Sequence, residues 1–595
     1  MKRRLICTIY LITGVGTFLS SGCGERIDHR TPREVVKAIA DRVIRETTFD
    51  FELVPQETVL GIQFVDFRRL FGAVGPGVGY ALGSIHSVSD TIITFGISGS
   101  DGIKVWLNSD LVYHWDRARA PTLTEIAYER FAFQDTFEAQ LQAGSNPILV
   151  KVVTSSGPWI FFLQALTAEG GEEQAISFSL QLVDSGITES HWLCLGPFEL
   201  PNGSGIARAL EQVYPPESAF MAGDLATESE RKFAWIVPRP SHLWQLTSNF
   251  KRWAYNDWHY AHGATMFGIL ALADASNDRH YFDFVRRYCD FIMEHYSYFK
   301  WQYQSLHAFR GSFHRLFRRT MLDDTGAPAL PFVELYLRGE GENYKALVFP
   351  ISDYISHRQV RLTDGTFCRP EPVAYTVWAD DLFMSVPYLL RMARVTGDPA
   401  YFDDAARQVI QFAERLFVAE KGLFKHAWFG PTGKRSVAFW GRANGWMVWA
   451  MTEALTQLPK AHPRYPAVLD IFRRHMDGLV QYQDPESGMW HQVLDHPESY
   501  EETSCTSMFV LGMARGIREG WLAESFRERA LKGWSALQSM VAADGTVRGT
   551  CRGTGIGESL PFYFERPTFD HDPRGLGSMI IAGIEVARLQ QEHLY

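Results

Sequence analysis

The sequence predicts a multidomain protein of mixed α and β class, with a β-sandwich-like N-terminal domain followed by a closed double ring of paired helices. Three observations carry this reading. The 595 residues are too many for one ordinary hydrophobic core. Residues 24–240 contain short β-like runs broken by Gly, Asn, Asp and Ser. Residues 244–595 contain apolar residues at helical spacing, in stretches joined by short loops.

The first residues have a separate character. Lys2, Arg3 and Arg4 precede an apolar stretch from Leu5 to Leu19, and Ser20-Ser21-Gly22 leads to Cys23. This is a secretory signal pattern, too short to span a bilayer. Small residues directly before a cysteine resemble a bacterial lipoprotein cleavage site. Residues 1–22 are therefore expected to be removed, with Cys23 lipidated. The product is expected to be an exported lipoprotein, periplasmic or on the cell surface, that meets the membrane only through that anchor. Cys194, Cys289, Cys368, Cys505 and Cys551 are odd in number and scattered, so buried free thiols are expected rather than disulfides.

Elements then follow in order. A helix is expected from Pro32 to Thr47, with Val35, Val36, Ile39, Val43 and Ile44 at helical spacing. Strands are expected at Thr91–Phe95, Ile103–Leu107, Pro147–Val153 and Trp159–Leu163. From Gly102 through Trp159, with Lys151 on a β run, the chain resembles the accessory sandwich modules that precede many glycoside hydrolases. A structural role is favoured for it over sugar binding.

Helices are expected at Asp257–Ala273, His280–Tyr298, Ala327–Leu337, Asn343–Tyr354, Asp380–Val395, Pro399–Phe417, Arg442–Leu458, Pro466–Tyr482, Glu501–Arg518, Ala523–Val541 and Pro573–Gln591. Gly397 and Asp398 end one helix and Pro399 starts the next. In such a ring, the loops at one end build the cleft.

Composition narrows the chemistry. A net charge of −10 argues against a nucleic-acid partner, which needs a basic surface. Aromatic residues at 14% suit a core, and also a cleft whose flat apolar faces take pyranose rings. No metal-ligand spacing appears, and no cofactor is expected.

Three clusters in the helical half carry candidate chemistry. They are Met321-Leu-Asp-Asp-Thr-Gly326, the run Tyr375-Thr-Val-Trp-Ala-Asp-Asp-Leu-Phe-Met384, and Phe439-Trp-Gly-Arg-Ala-Asn-Gly-Trp446. Gly422-Leu-Phe-Lys-His426 is looser. Taken alone, Asp323, Asp324, Asp380 and Asp381 can each be a helix cap, which stabilises by about 1 kcal/mol. A cap uses one carboxylate, however, and here the aspartates are doubled. Trp378, Trp440 and Trp446 suit core and cleft equally. Arg442 lies between Gly441 and Ala443, where its guanidinium can point two donors at a carboxylate.

Together the clusters resemble glycoside hydrolase family 105, the unsaturated rhamnogalacturonyl hydrolases, which is related to the unsaturated glucuronyl hydrolases of family 88. The resemblance covers most of Trp253 to Tyr563. It rests on Trp-x-Asp-x-Leu-x-Met at Trp378–Met384 and Arg-x-Asn-Gly-Trp at Arg442–Trp446. It implies an (α/α)₆ barrel. Asp380 matches the catalytic aspartate and Asp324 the second essential one, with Asp323 possible by a one-residue shift. Arg442 and Trp446 match contacts to an unsaturated uronate, and His426 a site histidine. Asn444, Trp440 and Trp378 fall in the same motifs. Where the family often has histidine, this chain has Arg369 or Cys368, and Arg369 would suit a further carboxylate or sulfate.

The implied activity is release of a 4,5-unsaturated uronic acid from the non-reducing end of a lyase-generated oligosaccharide, by hydration of the vinyl ether. Asp380 would be the proton donor, kept partly protonated by Asp324. A conventional acid/base glycosidase on a saturated sugar and a non-catalytic surface glycan-binding protein remain as alternatives.

Overall fold

The computed structural model describes residues 30–591 apart from 56–61, 73–75, 128–129, 156, 169–172, 174, 180–191, 201–204, 215–233, 237–241, 248–254, 306–307 and 310. Cys23 and the segment before it lie outside the described residues.

Among the described residues, the N-terminal part contains two antiparallel sheets of four or more strands. The larger runs Ala234–Ile236, Leu193–Glu199, Gly77–Ser87, Gly144–Thr154, Gly102–Leu107, Asp110–Asp116, with Ile176–Ser179 also paired to Gly77–Ser87. The smaller runs Gln63–Asp66, Ile160–Leu166, Thr91–Gly99, Asp135–Leu141. Ile85, Val105, Val150 and Val152 of the first sheet share one apolar cluster with Phe95, Ile97, Phe161 and Leu163 of the second. Burial alternates from Ala81 to Ser87, as expected of a strand with one face on a core. The four expected β runs all fall on these strands, give or take a terminal residue. Lys151 is buried, and its ammonium donates to the carbonyls of Ala209 at 2.7 Å and Leu210 at 2.8 Å, at the end of the short helix Ile206–Glu211. The lysine thus secures the module's own packing.

Twelve longer helices follow the expected positions closely: α1 Pro32–Glu46, α2 Tyr260–Ser276, α3 Arg279–Ser305, α4 Gly326–Leu337, α5 Lys345–Asp353, α6 Asp380–Thr396, α7 Ala400–Leu416, α8 Gly441–Gln457, α9 Tyr465–Leu479, α10 Thr503–Arg518, α11 Arg527–Ser539 and α12 Pro573–Leu589. The even-numbered helices pack on one another in sequence, α2 on α4 and so on to α12, and α12 packs back on α2. Each odd-numbered helix lies against one or two of them. Burial sorts the two sets. Fifteen of the 17 residues of α8 are buried, against seven of the 17 in α7. A helix covered on all sides is internal; one with a single apolar stripe is peripheral.

The structure places α1 differently from the sequence reading, which groups it with the N-terminal domain. A capping box between Thr31 and Glu34, with Pro32 at the first turn, starts this helix. Its buried face (Val35, Val36, Ile39, Ala40, Val43) joins the core of the helical part and packs on α12. The alternation of peripheral and internal helices therefore begins at α1. The strand Phe51–Pro55 pairs with His242–Leu246, so the β region leaves and rejoins the helical part at one place.

Two glycines permit the tightest internal contacts. A Cβ at Gly577 of α12 would lie 2.1 Å from the Ala264 carbonyl of α2, and one at Gly326 of α4 would lie 2.1 Å from the Met384 carbonyl of α6. Backbone meets backbone at both positions.

Further along the same helices runs a belt of buried charge. Arg391 of α6 donates to Glu334 of α4 and to Glu453 of α8, both at 2.7 Å. Arg515 of α10 donates to Glu453 at 3.0 Å and to Glu585 of α12 at 3.1 Å. The Arg391 guanidinium also sits 4.9 Å over the Phe267 ring of α2. All six internal helices are thereby joined. Burial alone would push the Glu453 carboxyl up, but Arg391 and Arg515 outweigh it and hold it below its ordinary value.

Removing the shared carboxylate should leave two buried guanidiniums short of a partner. Glu453→Gln is expected to cost about 3–5 kcal/mol, read as a lower denaturant midpoint of the helical signal. Because the folded-state value is depressed, the wild-type contribution is present above the unfolded value and lost as pH falls through the folded one. The difference between wild type and variant should therefore shrink in acid.

Candidate active site

The internal helices all start at the end opposite the charge belt, and their first residues meet there. Trp258, just before α2, donates its indole N–H to the Asp324 carbonyl at 2.8 Å. Tyr260 at the start of α2 accepts from Arg574 at the start of α12 at 2.9 Å. Arg442 at the start of α8 reaches Ser504 at the start of α10 at 3.3 Å. Six helix N-termini facing one place favour an anion there.

Asp380 is the first residue of α6. The strand Thr376–Trp378 that delivers it pairs with Ala427–Phe429. The Ala379 amide donates to the His426 carbonyl at 3.0 Å. That pairing fixes the imidazole beside the carboxylate, with His426 Nε2 3.2 Å from Asp380 Oδ2. The distance is that of an ion pair, but the angle is not that of a hydrogen bond, and both atoms count as buried polar groups without a hydrogen-bond partner. The distance decides between the two, because catalytic hydrogen bonds are often poorly aligned before substrate binds. On its other side His426 Nδ1 lies 3.0 Å from the Tyr563 hydroxyl. Burial pushes the Asp380 carboxyl up. His426, together with the charges of Arg369 and Arg442, outweighs burial and holds it below the ordinary range. The expectation that Asp380 is kept partly protonated is therefore reversed.

The neighbouring aspartates are spoken for. Asp324 is fully buried in a two-pronged pair with Arg318, at 2.7 and 2.8 Å. It is committed to that arginine, contrary to the expected pairing with Asp380. Asp323 and Asp381 both feel the charge of Asp380; burial, and then that charge, raise each carboxyl against the lowering effect of Arg369. Asp381, the next residue along α6, is clamped by Arg369 at 2.6 and 2.9 Å. The same guanidinium reaches Asp323 at 3.0 Å and lies 4.0 Å over the Trp378 ring. Arg369 is thus an internal counterion, not a free ligand for a substrate carboxylate or sulfate. Adjacent residues on a helix point about 100° apart, so two neighbouring aspartates take opposite roles. Asp380 is the site aspartate without a hydrogen bond from an arginine.

Arg442 is also committed. It is buried, and one nitrogen donates to the carbonyls of Cys551 at 2.6 Å and Arg552 at 2.8 Å. It acts as a clamp on the 550–552 segment while its charge reaches Asp380. Asn444 holds the strand leading to His426, bonding both the amide and the carbonyl of Phe424 at 2.8 and 2.9 Å. Trp446 belongs to the core, in a cluster with Phe383 and Trp449, whose ring centroids lie 4.7 and 5.8 Å from its own. Trp378 and Trp440 flank His426 at 5.5 and 4.7 Å. Each has a buried indole N–H without a hydrogen-bond partner. Two orphaned donors beside an ionised carboxylate form a surface prepared for a polar ligand.

Sequence reading misses Tyr563 and Tyr260. No local spacing reveals Tyr563, which lies 137 residues from its partner His426. For Tyr260 a usable signal exists, a tyrosine at the very start of a long helix, where the other site residues also stand. Just ahead of the start of α10, the fold brings ligand atoms of Asp484, His491 and Glu501 within 4.8 Å of one another. The run from Gly488 to His491 and on to Glu501 is a loose cluster in the sequence, and the fold adds Asp484 to it. The five scattered cysteines are free and buried, as expected.

Comparison with known proteins places this geometry. The family model described as Glycosyl Hydrolase Family 88 matches residues 239–590. An unsaturated rhamnogalacturonyl hydrolase of Bacillus subtilis (strain 168) is 31% identical over 224 residues, which is 36% of this chain and 63% of that protein. An unsaturated 3S-rhamnoglycuronyl hydrolase of Alteromonas sp. (strain LOR) is 32% identical over 176 residues, 29% of this chain and 42% of that protein. The chain thus spans less than two thirds of the length of these relatives. A family 105 glycoside hydrolase structure from C. acetobutylicum superposes with a TM-score of 0.51 at 24% identity, covering 57% of this chain and 97% of that one, a likeness of fold. With its model matched across α2 to α12 and the aspartates, histidine and arginine of the motifs gathered at one end, the chain belongs to glycosyl hydrolase family 88.

Proposed function

We propose that this protein is a hydrolase that releases a 4,5-unsaturated uronic acid from the non-reducing end of lyase-generated oligosaccharides. The observation that carries the reading is the Asp380–His426 pair. It is one unclamped carboxylate, set among helix N-termini and two orphaned indole donors, while Asp324 and Asp381 are neutralised by arginines. A conventional glycosidase needs two working carboxyl groups at the scissile bond. Hydration of a vinyl ether needs one group that gives a proton and takes one back. The names of the family relatives are consistent with such a substrate.

In this mechanism Asp380 gives its proton to C4, and water adds to C5, returning a proton to Asp380. The C5 hemiketal opens, and the C1 hemiacetal exposed by that opening sheds the remaining chain. The carboxylate starts ionised, so the proton must arrive with substrate. A docked uronate brings a negative charge and displaces water, and both raise the proton affinity of a neighbouring carboxylate. Asp323, also near and raised by burial, is the second carboxyl that shapes this field.

We further infer that the twelve helices form an (α/α)₆ barrel with α1 as its sixth outer helix, carrying a β-sandwich accessory domain of mainly structural role. The circular packing of α2, α4, α6, α8, α10 and α12 supports the barrel. The signal pattern ending at Cys23 supports an exported, lipid-anchored protein.

Saturated and lyase-generated unsaturated oligosaccharides of the same sequence should separate the readings. Sugar release is expected from the unsaturated set alone; equal turnover would exclude the vinyl-ether route. Asp380→Asn should lose about a hundred- to ten-thousandfold in kcat with an unchanged circular dichroism spectrum. Asp324→Asn should instead show its main loss in unfolding midpoint, through the stranded Arg318.

Substrate binding should take up a proton. Calorimetric titration of an unsaturated disaccharide into Asp323→Asn, repeated in buffers of different ionisation enthalpy, should show net proton uptake at neutral pH. Binding with no buffer dependence would contradict a proton that enters with substrate.

A further inference from the structure

Between α9 and α10 the chain reverses twice. Gln483 pairs with Trp490, and His491 with Glu501, each as a single antiparallel bridge. Residues opposite each other in such a pair carry their side chains on one face. The second bridge therefore sets the His491 imidazole beside the Glu501 carboxylate. Asp484 closes the first reversal. Its amide donates to the Met489 carbonyl at 2.9 Å, and its carbonyl accepts from the Gly488 amide at 3.0 Å. The turn also fixes its side chain, since Oδ1 accepts the Glu486 and Ser487 amides, both at 2.8 Å. The Ser487 amide, above all, holds this carboxyl below its ordinary value against burial.

The free Oδ2 of Asp484 faces His491 Nε2 at 3.8 Å, too far for a hydrogen bond. On the other side of the ring, Nδ1 lies 2.6 Å from the Ser499 carbonyl. A carbonyl only accepts, so Nδ1 carries the proton, and the neutral ring turns its Nε2 lone pair toward the carboxylates. The Ser487 hydroxyl donates to one oxygen of Glu501 and leaves the other. Three electron-rich atoms thus converge within 4.8 Å of one another. Among the described residues no lysine or arginine pairs with Asp484 or Glu501. The imidazole is 12% exposed and the Asp484 side chain 26%, so the group is sheltered yet open to water.

We propose that Asp484, His491 and Glu501 bind one divalent transition-metal ion, zinc or manganese by the chemistry of the donors. Two ligand atoms about 2.1 Å from a common ion stand at most about 4.2 Å apart, and the Nε2–Oδ2 distance falls within that span. Small torsional changes of the longer Glu501 side chain close the set. One imidazole with two carboxylates suits these ions better than calcium or magnesium, which prefer oxygen alone. The ring N–H held by a carbonyl is the support that metal-bound histidines receive. The sequence reading expects no metal, because the three ligands share no familiar spacing; the two reversals group them.

The ion fastens the active-site end and takes no part in proton transfer. Next to His491, the Gln492 carbonyl accepts the Gly441 amide at 2.7 Å, at the start of α8. Next to Glu501, the Glu502 carboxylate caps α10, accepting the Ser504 and Cys505 amides at 3.1 and 2.7 Å. Bridging His491 and Glu501 ties these two helix starts together, where Arg442 meets Ser504.

The test uses the untagged full-length protein, stripped of metal with a chelator. Calorimetric titration with Zn2+ or Mn2+ should show one site per chain. At about a hundredfold excess over Kd the ion should raise the unfolding midpoint by about 3 °C or more. Co2+ in the same site should give enhanced visible absorption. H491Q and E501Q should each weaken binding by about tenfold or more and abolish the cobalt bands. In chelator, E501Q should unfold within about 1 °C of wild type, which separates loss of the ion from loss of the fold. A midpoint indifferent to all three ions overturns the site and leaves the three residues as a polar cluster. So does a gain that survives both substitutions. An equal gain from Ca2+, with no cobalt bands, overturns the assignment to a nitrogen-ligated ion.

Discussion

Asp380 lies beside His426, and no arginine bonds it, while the aspartates on either side in the fold are held by guanidiniums. This allocation of counterions is the constraint on which the rest of the site depends. Arg318 absorbs Asp324 and Arg369 absorbs Asp381. The two clamps allow several carboxylates to be packed at the starts of α4 and α6 without mutual repulsion. They also leave Asp380 able to change its protonation state, because an imidazole balances its charge less rigidly than a bidentate guanidinium does. A site in which every aspartate had an arginine would have no group free to move a proton.

The helical architecture makes that allocation possible. Internal helices that begin at one end bring their N-termini together, and residues far apart in the chain become neighbours across the opening. The buried charge belt from Glu334 to Glu585 secures the same helices along their length. Its charges are matched; those at the site end are partly unmatched. The two ends of one helix set thus divide stability from chemistry. The N-terminal sheets add a module in which buried Lys151 secures the local packing, and which is tied to the helices by the pairing of Phe51–Pro55 with His242–Leu246.

The peripheral helices are legible in the sequence because their apolar stripes recur at 3.6 residues, and the internal ones as long apolar stretches; several ends of both kinds carry Pro, Gly or Asp. The clusters that build the site are legible too, since Trp378–Met384 and Arg442–Trp446 keep a recognisable order. The duties within them are not. Which of Asp323 and Asp324 faces Asp380 depends on a rotation of one residue in a tight turn, and composition carries no trace of it. Arg369 reads as a free cation until the fold brings Asp381 and Asp323 against it, 12 and 46 residues away. Arg442 and Trp446 match their motif, yet the first clamps backbone carbonyls and the second fills core. The place of α1 depends on contacts with α12, more than 500 residues distant, which no local pattern encodes.

The most direct measurement is hydrolysis of an unsaturated disaccharide in deuterium oxide, with the released uronic acid examined by NMR at the earliest times. Proton delivery by a fixed Asp380 carboxyl predicts one deuteron at C4, on a single face of the sugar. Release of the sugar with no deuterium at C4, or with deuterium divided evenly between the two faces, would contradict the assignment.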